Sequence, residues 1–212
     1  MTMPPLVKIC GLKTSEEVEA AIRHGATHIG LNHYEPSPRY VDLETAAELR
    51  KQAAAGGVKV ALLLVNAGPQ LTGAAWSAVR PDILQFHGNE TPEWINAVKT
   101  NTKTEAWKAV GLKDAGTLTR SLQYEGVVDR LLFDAPAQAM PGGTGTRFDW
   151  SLLVGHRHSI DWGIAGGLTP ANVAQAIAET AAPLVDVSSG VESAPGVKDV
   201  DKIAAFLKAA GR

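Results

Sequence analysis

The chain has 212 residues, of which 45% are hydrophobic and 20% are charged, and its formal net charge is -2. Because 20 basic residues face 22 acidic ones, the chain lacks the basic excess that neutralises a phosphate backbone, and we expect no nucleic-acid partner. Neither a signal-peptide pattern nor an apolar run of the roughly 18 residues that span a membrane is found, so we expect one cytoplasmic domain, residues 1–212, and no membrane partner.

Eight short apolar runs recur along the chain. Most of them lack polar alternation, which is typical of strands that are buried on both faces of a parallel sheet. They cover Leu6–Cys10, His28–Leu31, Lys59–Val65, Ile83–Phe86, Glu105–Val110, Arg130–Phe133, Asp161–Ala165 and Leu184–Val187.

Helical patterns follow these runs and have recognisable first residues. Thr14 and Glu17 form a capping-box pattern, and Asp42 is placed to cap a second helix. Thr91 and Thr169 are each followed by a proline, which predicts an N-cap residue before a proline at the first helical position. Further helical patterns cover Gln70–Val79, Lys113–Tyr124, Asp149–Val154 and the segment that carries Val200, Ile203, Phe206 and Leu207.

Eight alternations of strand and helix predict an α/β fold with a parallel sheet, and the number of units favours a single (β/α)8 TIM barrel. An open doubly wound sheet is the alternative. That fold would place a glycine fingerprint for a dinucleotide after the first strand. The residues at that position are Gly11, Leu12 and Lys13, and they do not form such a fingerprint.

Five chemically distinctive side chains follow the predicted strands, at the barrel end where active sites are found. They are Cys10, Arg39, His87, Asp134 and Asp186. The thiol of Cys10 is either a small buried hydrophobe or, beside a cation, a base or nucleophile. As the only cysteine of the chain, it cannot form an internal disulfide, which fits a reducing compartment.

The other four side chains have two interpretations each. Asp134 follows the apolar run Leu131–Phe133 and is either a poorly solvated general acid or a cap or salt-bridge residue. Arg39, in a loop with two prolines, suits a fixed bidentate contact with a carboxylate or is a surface residue. His87 is a functional or a core histidine, and Asp186 is a functional residue or caps its loop.

The last two strands are followed by small residues, Gly166 and Gly167 in one loop and Ser188, Ser189 and Gly190 in the next. Glycines allow close approach, and the N–H groups of such loops bind anions. Barrels often hold phosphate between these two loops. The alternative is that these residues only form tight turns. Because small residues occur in both of the loops that bind phosphate in other barrels, we predict a phosphate site.

Metal and nucleotide motifs are not found. The remaining histidines lack the spacing of a zinc site, and Gly142–Gly145 lacks the Lys-Ser/Thr ending of a phosphate loop. We interpret Gly142–Gly145 as part of a mobile loop that folds over a substrate.

Taken together, these motifs resemble the phosphoribosylanthranilate isomerase family of tryptophan biosynthesis, over nearly the whole chain. The motifs that carry the resemblance are Lys8-Ile9-Cys10-Gly11, Ser37-Pro38-Arg39-Tyr40, Gln85-Phe86-His87-Gly88, Phe133-Asp134, Gly142-Gly143-Thr144-Gly145, Phe148-Asp149-Trp150, Ala165-Gly166-Gly167-Leu168 and Asp186-Val187-Ser188-Ser189-Gly190-Val191-Glu192.

The resemblance implies an Amadori rearrangement of a phosphoribosyl substrate, with Asp134 as general acid and Cys10 as the base that removes the C2 proton. It implies that Arg39 pairs with the anthranilate carboxylate and that the Gly166-Gly167 and Ser188–Gly190 loops hold the 5′-phosphate. His87 and Asp186 match active-site positions of the family. No metal or organic cofactor is implied, and a monomer or homodimer is expected.

One segment departs from the family pattern, because Asn32-His33-Tyr34-Glu35 stands where aromatic or apolar residues are usual. A shifted substrate and neutral drift both explain the departure. Two alternatives therefore stay open: a related phosphosugar barrel enzyme, for which Lys8 would be the candidate Schiff-base lysine, and a non-catalytic barrel that binds a phosphate ligand.

Overall fold

The computed structural model describes residues 4–136, 149–156 and 158–212. Eight parallel strands close into a barrel in chain order, and β1 pairs with both β2 and β8. The predicted barrel is therefore confirmed, and the open-sheet alternative is wrong. The predicted mobile loop around Gly142–Gly145 lies outside the described residues.

The strands begin where they were predicted and end within one residue of the predicted positions. They are β1 Leu6–Cys10, β2 His28–Asn32, β3 Lys59–Leu64, β4 Ile83–Phe86, β5 Glu105–Gly111, β6 Arg130–Asp134, β7 Asp161–Ile164 and β8 Leu184–Val187. A further antiparallel pair, β9 Glu192–Ala194 and β10 Val197–Lys198, was not predicted.

Helices pack around the barrel. They are α1 Ser15–Arg23, α2 Leu43–Ala55, α3 Pro69–Val79, α4 Pro92–Thr102, α5 Ala115–Ser121, α6 Val173–Thr180 and α7 Val200–Ala209. Short 3-10 helices cover Leu122–Tyr124, Trp150–Leu153 and Ser189–Val191. Among the described residues, no helix is long and apolar enough to cross a membrane.

Three of the predicted helix caps are confirmed. Thr14 accepts the N–H of Glu17 while the Glu17 side chain accepts the N–H of Thr14, so both halves of the capping box form. Asp42 caps α2 through the N–H of Thr45, and Thr91 caps α4.

The predicted cap at Thr169 is wrong, since α6 begins at Val173 and its N-cap is Asn172. The Asn172 side chain accepts the N–H of Thr169 at 2.7 Å and donates to the Gly167 carbonyl at 2.9 Å. Residues 169–172 therefore form a turn, because these side-chain bonds compete successfully with an earlier helix start.

Alternate residues of each strand face the barrel interior. The lower interior is an apolar cluster, packed by Leu6 and composed of Ala61, Ile83, Trp107, Ala109, Leu132 and Leu184. Towards the carboxyl ends of the strands the interior becomes polar. Lys8 lies beside Asp186 in the β1–β8 register, and Cys10 lies beside Gly30 in the β1–β2 register.

We expect Thr14→Ala to lower the free energy of unfolding by about 1 kcal/mol, because the exposed hydroxyl acts on stability through the capping box alone. Urea denaturation of the two proteins measures this difference. Thr14→Ser retains the oxygen acceptor and is the matched control. Equal losses in the two variants would contradict the assignment of the cap.

Candidate active site

A cleft opens at the carboxyl ends of the strands, with about 620 Å³ of empty space when the part open to solvent is included. Nine of the ten predicted site residues line it: Cys10, Arg39, His87, Asp134, Gly166, Gly167, Asp186, Ser188 and Ser189. The structure therefore brings together residues that are up to 179 positions apart in the sequence.

Cys10 is the last residue of β1, and its thiol is buried. The sulfur lies 2.7 Å from the position that a Cβ on Gly30 would take, so the absence of a side chain at Gly30 leaves room for it. Burial raises the pKa of the Cys10 thiol above its usual value, and the nearby Lys8 ammonium opposes this rise. The protonation state of the thiol thus depends on its charged neighbours.

Lys8 and Asp186 form an ion pair beneath the thiol. Lys8 Nζ donates to Asp186 Oδ2 at 2.8 Å, and the two side chains are 0% and 7% exposed. Burial works against the ammonium, but Asp186 and Cys10 together outweigh it, so the pKa of Lys8 is raised. Lys8 is therefore protonated at neutral pH.

Asp134 is held in position by a backbone group and a histidine. Its Oδ1 accepts the N–H of Ala135 at 2.7 Å, and its Oδ2 lies 3.4 Å from His87 Nε2. A Cβ on Gly166 would lie 2.6 Å from Asp134 Oδ1, and Gly166 has a φ of +73°. Both the space and the backbone conformation thus require glycine at this position.

Arg39 pairs with Glu192, a residue that was not among the predicted site residues. Arg39 Nε and Nη2 donate to the two Glu192 oxygens at 2.7 and 2.8 Å. Lys198 Nζ donates to Glu192 Oε1 and to the Ser188 carbonyl, at 2.8 and 2.9 Å. Burial opposes ionisation of Glu192, but Arg39 and Lys198 outweigh it and lower the pKa of this carboxyl.

The space for Arg39 depends on Gly11. A Cβ on Gly11 would lie 2.6 Å from Arg39 Cδ, and Gly11 has a φ of +80°. The β9–β10 turn closes over the same loop, since a Cβ on Gly196 would collide with the Pro38 carbonyl. Glu192 and Lys198 enter the site on this hairpin, and a sequence pattern for such a short strand pair is weak.

The two loops predicted to bind phosphate face the cleft. Gly166 and Gly167 have φ angles of +73° and +67°. No hydrogen bond from the backbone N–H groups of Gly166, Gly167 and Ser189 to another described residue is found. These donors are thus available to a ligand at the edge of the cleft.

Gly190 does not itself line the cleft. A Cβ on Gly190 would collide with the Leu168 carbonyl oxygen, so glycine lets the two loops pack against each other. Phosphate binding by Gly190 stays a prediction.

The segment that departs from the family pattern has a mixed role. Asn32 and Tyr34 line the cleft, while Glu35 is exposed and Arg39 is paired with Glu192 instead of Glu35.

Three buried oxygens of the site, Asn32 Oδ1, Gln85 Oε1 and Asp186 Oδ1, have no hydrogen-bond partner among the described residues. Since buried acceptors are normally satisfied, these three oxygens suit the hydroxyl groups of a ligand.

A family model described as "PRAI: N-(5'phosphoribosyl)anthranilate (PRA) isomerase" matches residues 7–209. The chain belongs to this family. The N-(5'-phosphoribosyl)anthranilate isomerase of Erythrobacter litoralis (strain HTCC2594) is 57% identical over 205 residues, which are 97% of this chain and 98% of that protein. The predicted family membership is therefore confirmed.

Solved structures of the family agree with the fold. The phosphoribosyl anthranilate isomerase of Thermotoga maritima is 33% identical, with a TM-score of 0.88 and coverage of 97% of this chain and 98% of that chain. A second structure of a phosphoribosyl anthranilate isomerase holds reduced 1-(o-carboxyphenylamino)-1-deoxyribulose 5-phosphate; its TM-score is 0.85 at 32% identity, again covering 97% and 98%. In the described part of this member of the family, no group of three or more His, Cys, Asp or Glu residues is placed to hold a metal ion.

We expect Glu192→Gln to destabilise the fold by roughly 3 kcal/mol at neutral pH, because it leaves two buried cations without their carboxylate. Since the pKa of Glu192 is lowered by folding, its contribution is complete above an unfolded pKa of about 4.3 and is lost as the pH falls through the folded pKa. The difference from wild type is therefore expected to shrink below pH ~4.

Denaturant unfolding at several pH values measures this dependence. The exposed Glu48→Gln removes the same charge and is the control, for which we expect little change at any pH. A Glu192→Gln penalty that is constant with pH would contradict the ion-pair argument.

Proposed function

We propose that this chain catalyses its family's reaction with Cys10 as base and Asp134 as acid. The chain isomerises N-(5'-phosphoribosyl)anthranilate to 1-(2-carboxyphenylamino)-1-deoxyribulose 5-phosphate, an Amadori rearrangement in tryptophan biosynthesis. The proposal for the residues depends above all on one observation: Cys10 and Asp134 line the same cleft as the two loops with available N–H donors.

The first step is ring opening. A protonated Asp134 donates its proton to the ring oxygen of the ribose, the C1–O bond breaks, and the nitrogen lone pair forms an iminium ion with C1. Because Ala135 N–H is bonded to Oδ1, the transferable proton belongs on Oδ2. His87 Nε2 lies 3.4 Å from Oδ2 and helps to hold this oxygen in position for the proton transfer.

The second step is proton removal. The Cys10 thiolate takes the proton from C2, and the electron pair of the C–H bond moves towards the iminium nitrogen to give an enolamine. Tautomerisation of the enolamine places a proton on C1 and leaves the ketone at C2. The iminium of the substrate itself accepts the electron pair, so this mechanism uses no organic cofactor or metal.

Substrate binding uses both ends of the molecule. The N–H groups of Gly166, Gly167 and Ser189, together with the Ser188 hydroxyl, bind the 5′-phosphate, while Gly190 keeps the two loops close. Arg39 binds the anthranilate carboxylate. Its guanidinium is fixed by two bonds to Glu192, which orients it before the substrate arrives.

Asp186 is a further substrate-binding residue in this proposal, since its Oδ1 has no hydrogen-bond partner among the described residues and suits a ribose hydroxyl. We further propose that the chain works in the cytoplasm, because a free catalytic thiol persists in a reducing compartment. That the whole chain forms one barrel domain stays a prediction. The same holds for its oligomeric state, a monomer or a homodimer.

We expect Cys10→Ala and Asp134→Asn each to lower kcat by at least ~100-fold, because each removes one proton-transfer group from the reaction. The fluorescence decay of N-(5'-phosphoribosyl)anthranilate after addition of protein measures turnover. Circular dichroism and thermal unfolding serve as controls for the fold. Turnover near the wild-type rate in either folded variant would contradict the proposed acid–base pair.

We expect Arg39→Lys to raise KM about tenfold or more, with a smaller effect on kcat. Lysine keeps the charge, but its single nitrogen cannot bond to Glu192 in the two-pronged way of arginine and present a second N–H face to the substrate carboxylate. Steady-state kinetics with the same fluorescence assay gives both constants. An unchanged KM would show that the anthranilate carboxylate is bound elsewhere.

A further inference from the structure

The acid–base mechanism leaves one buried charged residue without a role. Lys8 is 0% exposed, and it lies inside the barrel rather than at its rim. Burying an ammonium group is costly even when it is paired, and an apolar side chain of similar size often stabilises a protein equally well. The position of Lys8 therefore calls for an explanation other than stability.

Lys8 lies directly beneath the catalytic thiol. It precedes Cys10 by two residues on β1, so both side chains point to the interior. Their positions over Gly30 agree with this: a Cβ on Gly30 would lie 2.7 Å from Cys10 Sγ and 3.1 Å from Lys8 Cε. No side chain at position 30 separates the sulfur from the end of the lysine.

We propose that Lys8, held by Asp186, is a positioning residue that stabilises the thiolate of Cys10 electrostatically. This inference rests on the proposed role of Cys10 as base. Lys8 itself does not contact the reacting carbon, and it acts through the sulfur atom.

The charges around Cys10 favour Lys8 for this role. Asp186 on β8 disfavours the thiolate, while Lys8 on β1 and Lys198 on β10 favour it, and Lys8 has the largest effect of these three groups. At the rim the cleft also contains Arg39, His87 and Asp134, each on or after another strand.

Asp186 gives the lysine two properties that the role requires. The 2.8 Å bond to Oδ2 fixes the ammonium in place, and the carboxylate, together with Cys10, raises the pKa of Lys8 despite complete burial. A protonated lysine is not an amine nucleophile, so the same pair argues against a Schiff-base role for Lys8. When Cys10 takes the C2 proton, the positive charge of Lys8 remains balanced by Asp186.

The decisive experiment measures the thiol directly, in the full-length protein. Cys10 is the only cysteine of the chain, so the rate of alkylation by iodoacetamide against pH reports on this thiol alone. In Lys8→Met we expect the pH midpoint of alkylation to rise by about one unit or more, since the cation that favours the thiolate is lost. The acid limb of the kcat/KM profile is expected to move in the same direction.

Lys108→Met is the matched control. Lys108 is also buried, but it lies on the outer side of β5, where it bonds to Glu90 and the Gly88 carbonyl. We expect this variant to keep the wild-type midpoint of Cys10 alkylation. A midpoint that rises equally in both lysine variants would overturn the proposal, since it would reflect a general loosening of the fold.

A second variant covers the case in which Lys8→Met does not fold, since it leaves Asp186 buried without its partner. Lys8→Met/Asp186→Asn removes both charges. Because Lys8 affects the thiol more strongly than Asp186 does, we expect the midpoint to stay above that of wild type. A midpoint at or below the wild-type value would overturn the inference.

The outcomes separate this inference from the proposed function. Activity retained in Cys10→Ala would show that Cys10 is not the base. The proposed function of Cys10 and the role of Lys8, which depends on it, would then both be wrong. An unchanged alkylation midpoint in Lys8→Met, together with an inactive Cys10→Ala, would refute the role of Lys8 alone.

Discussion

The pairing of β1 with β8 is the contact on which the rest of the structure depends. It joins the first strand to the last and converts a row of eight strands into a closed barrel. Lys8 and Asp186 meet in this register and add an ion pair within the closing ladder. Without the pairing of β1 with β8, Cys10 would lie at one edge of an open sheet and the Ser188–Gly190 loop at the other.

Closure also divides the barrel interior into two regions with different chemistry. The lower region, around Trp107 and Leu132, is an apolar cluster that stabilises the strands by burial. The upper region holds buried charges and oxygens without hydrogen-bond partners among the described residues, and burying such groups is unfavourable for stability. The rigid apolar floor positions the polar side chains above it, which is how a barrel keeps stability and chemistry on separate ends.

Much of this arrangement could be predicted from the sequence, because it follows from local patterns. The strands are continuous apolar runs, and the rule that barrel sites form after strand ends is enough to find Cys10, Asp134 and Asp186. The rest depends on contacts between distant segments. Glu192 and Lys198 reach Arg39 only through the β9–β10 hairpin, and the wrong cap at Thr169 arose because the Asn172 side chain forms bonds that no local pattern anticipates. The close packing of Gly190 against the Leu168 carbonyl of another loop is likewise a contact between distant segments that no local pattern indicates.

The Lys198 ammonium bonds to both of the segments that the proposed binding mode uses. One of its hydrogen bonds is to the Ser188 carbonyl, and another is to Glu192, which is also bonded to Arg39. In the proposed mode, the phosphate-binding loop and the carboxylate-binding arginine are therefore held by the same side chain. On that mode, the phosphate and the carboxylate of the substrate contribute non-additively to binding, because a change at either group is passed to the other through Lys198.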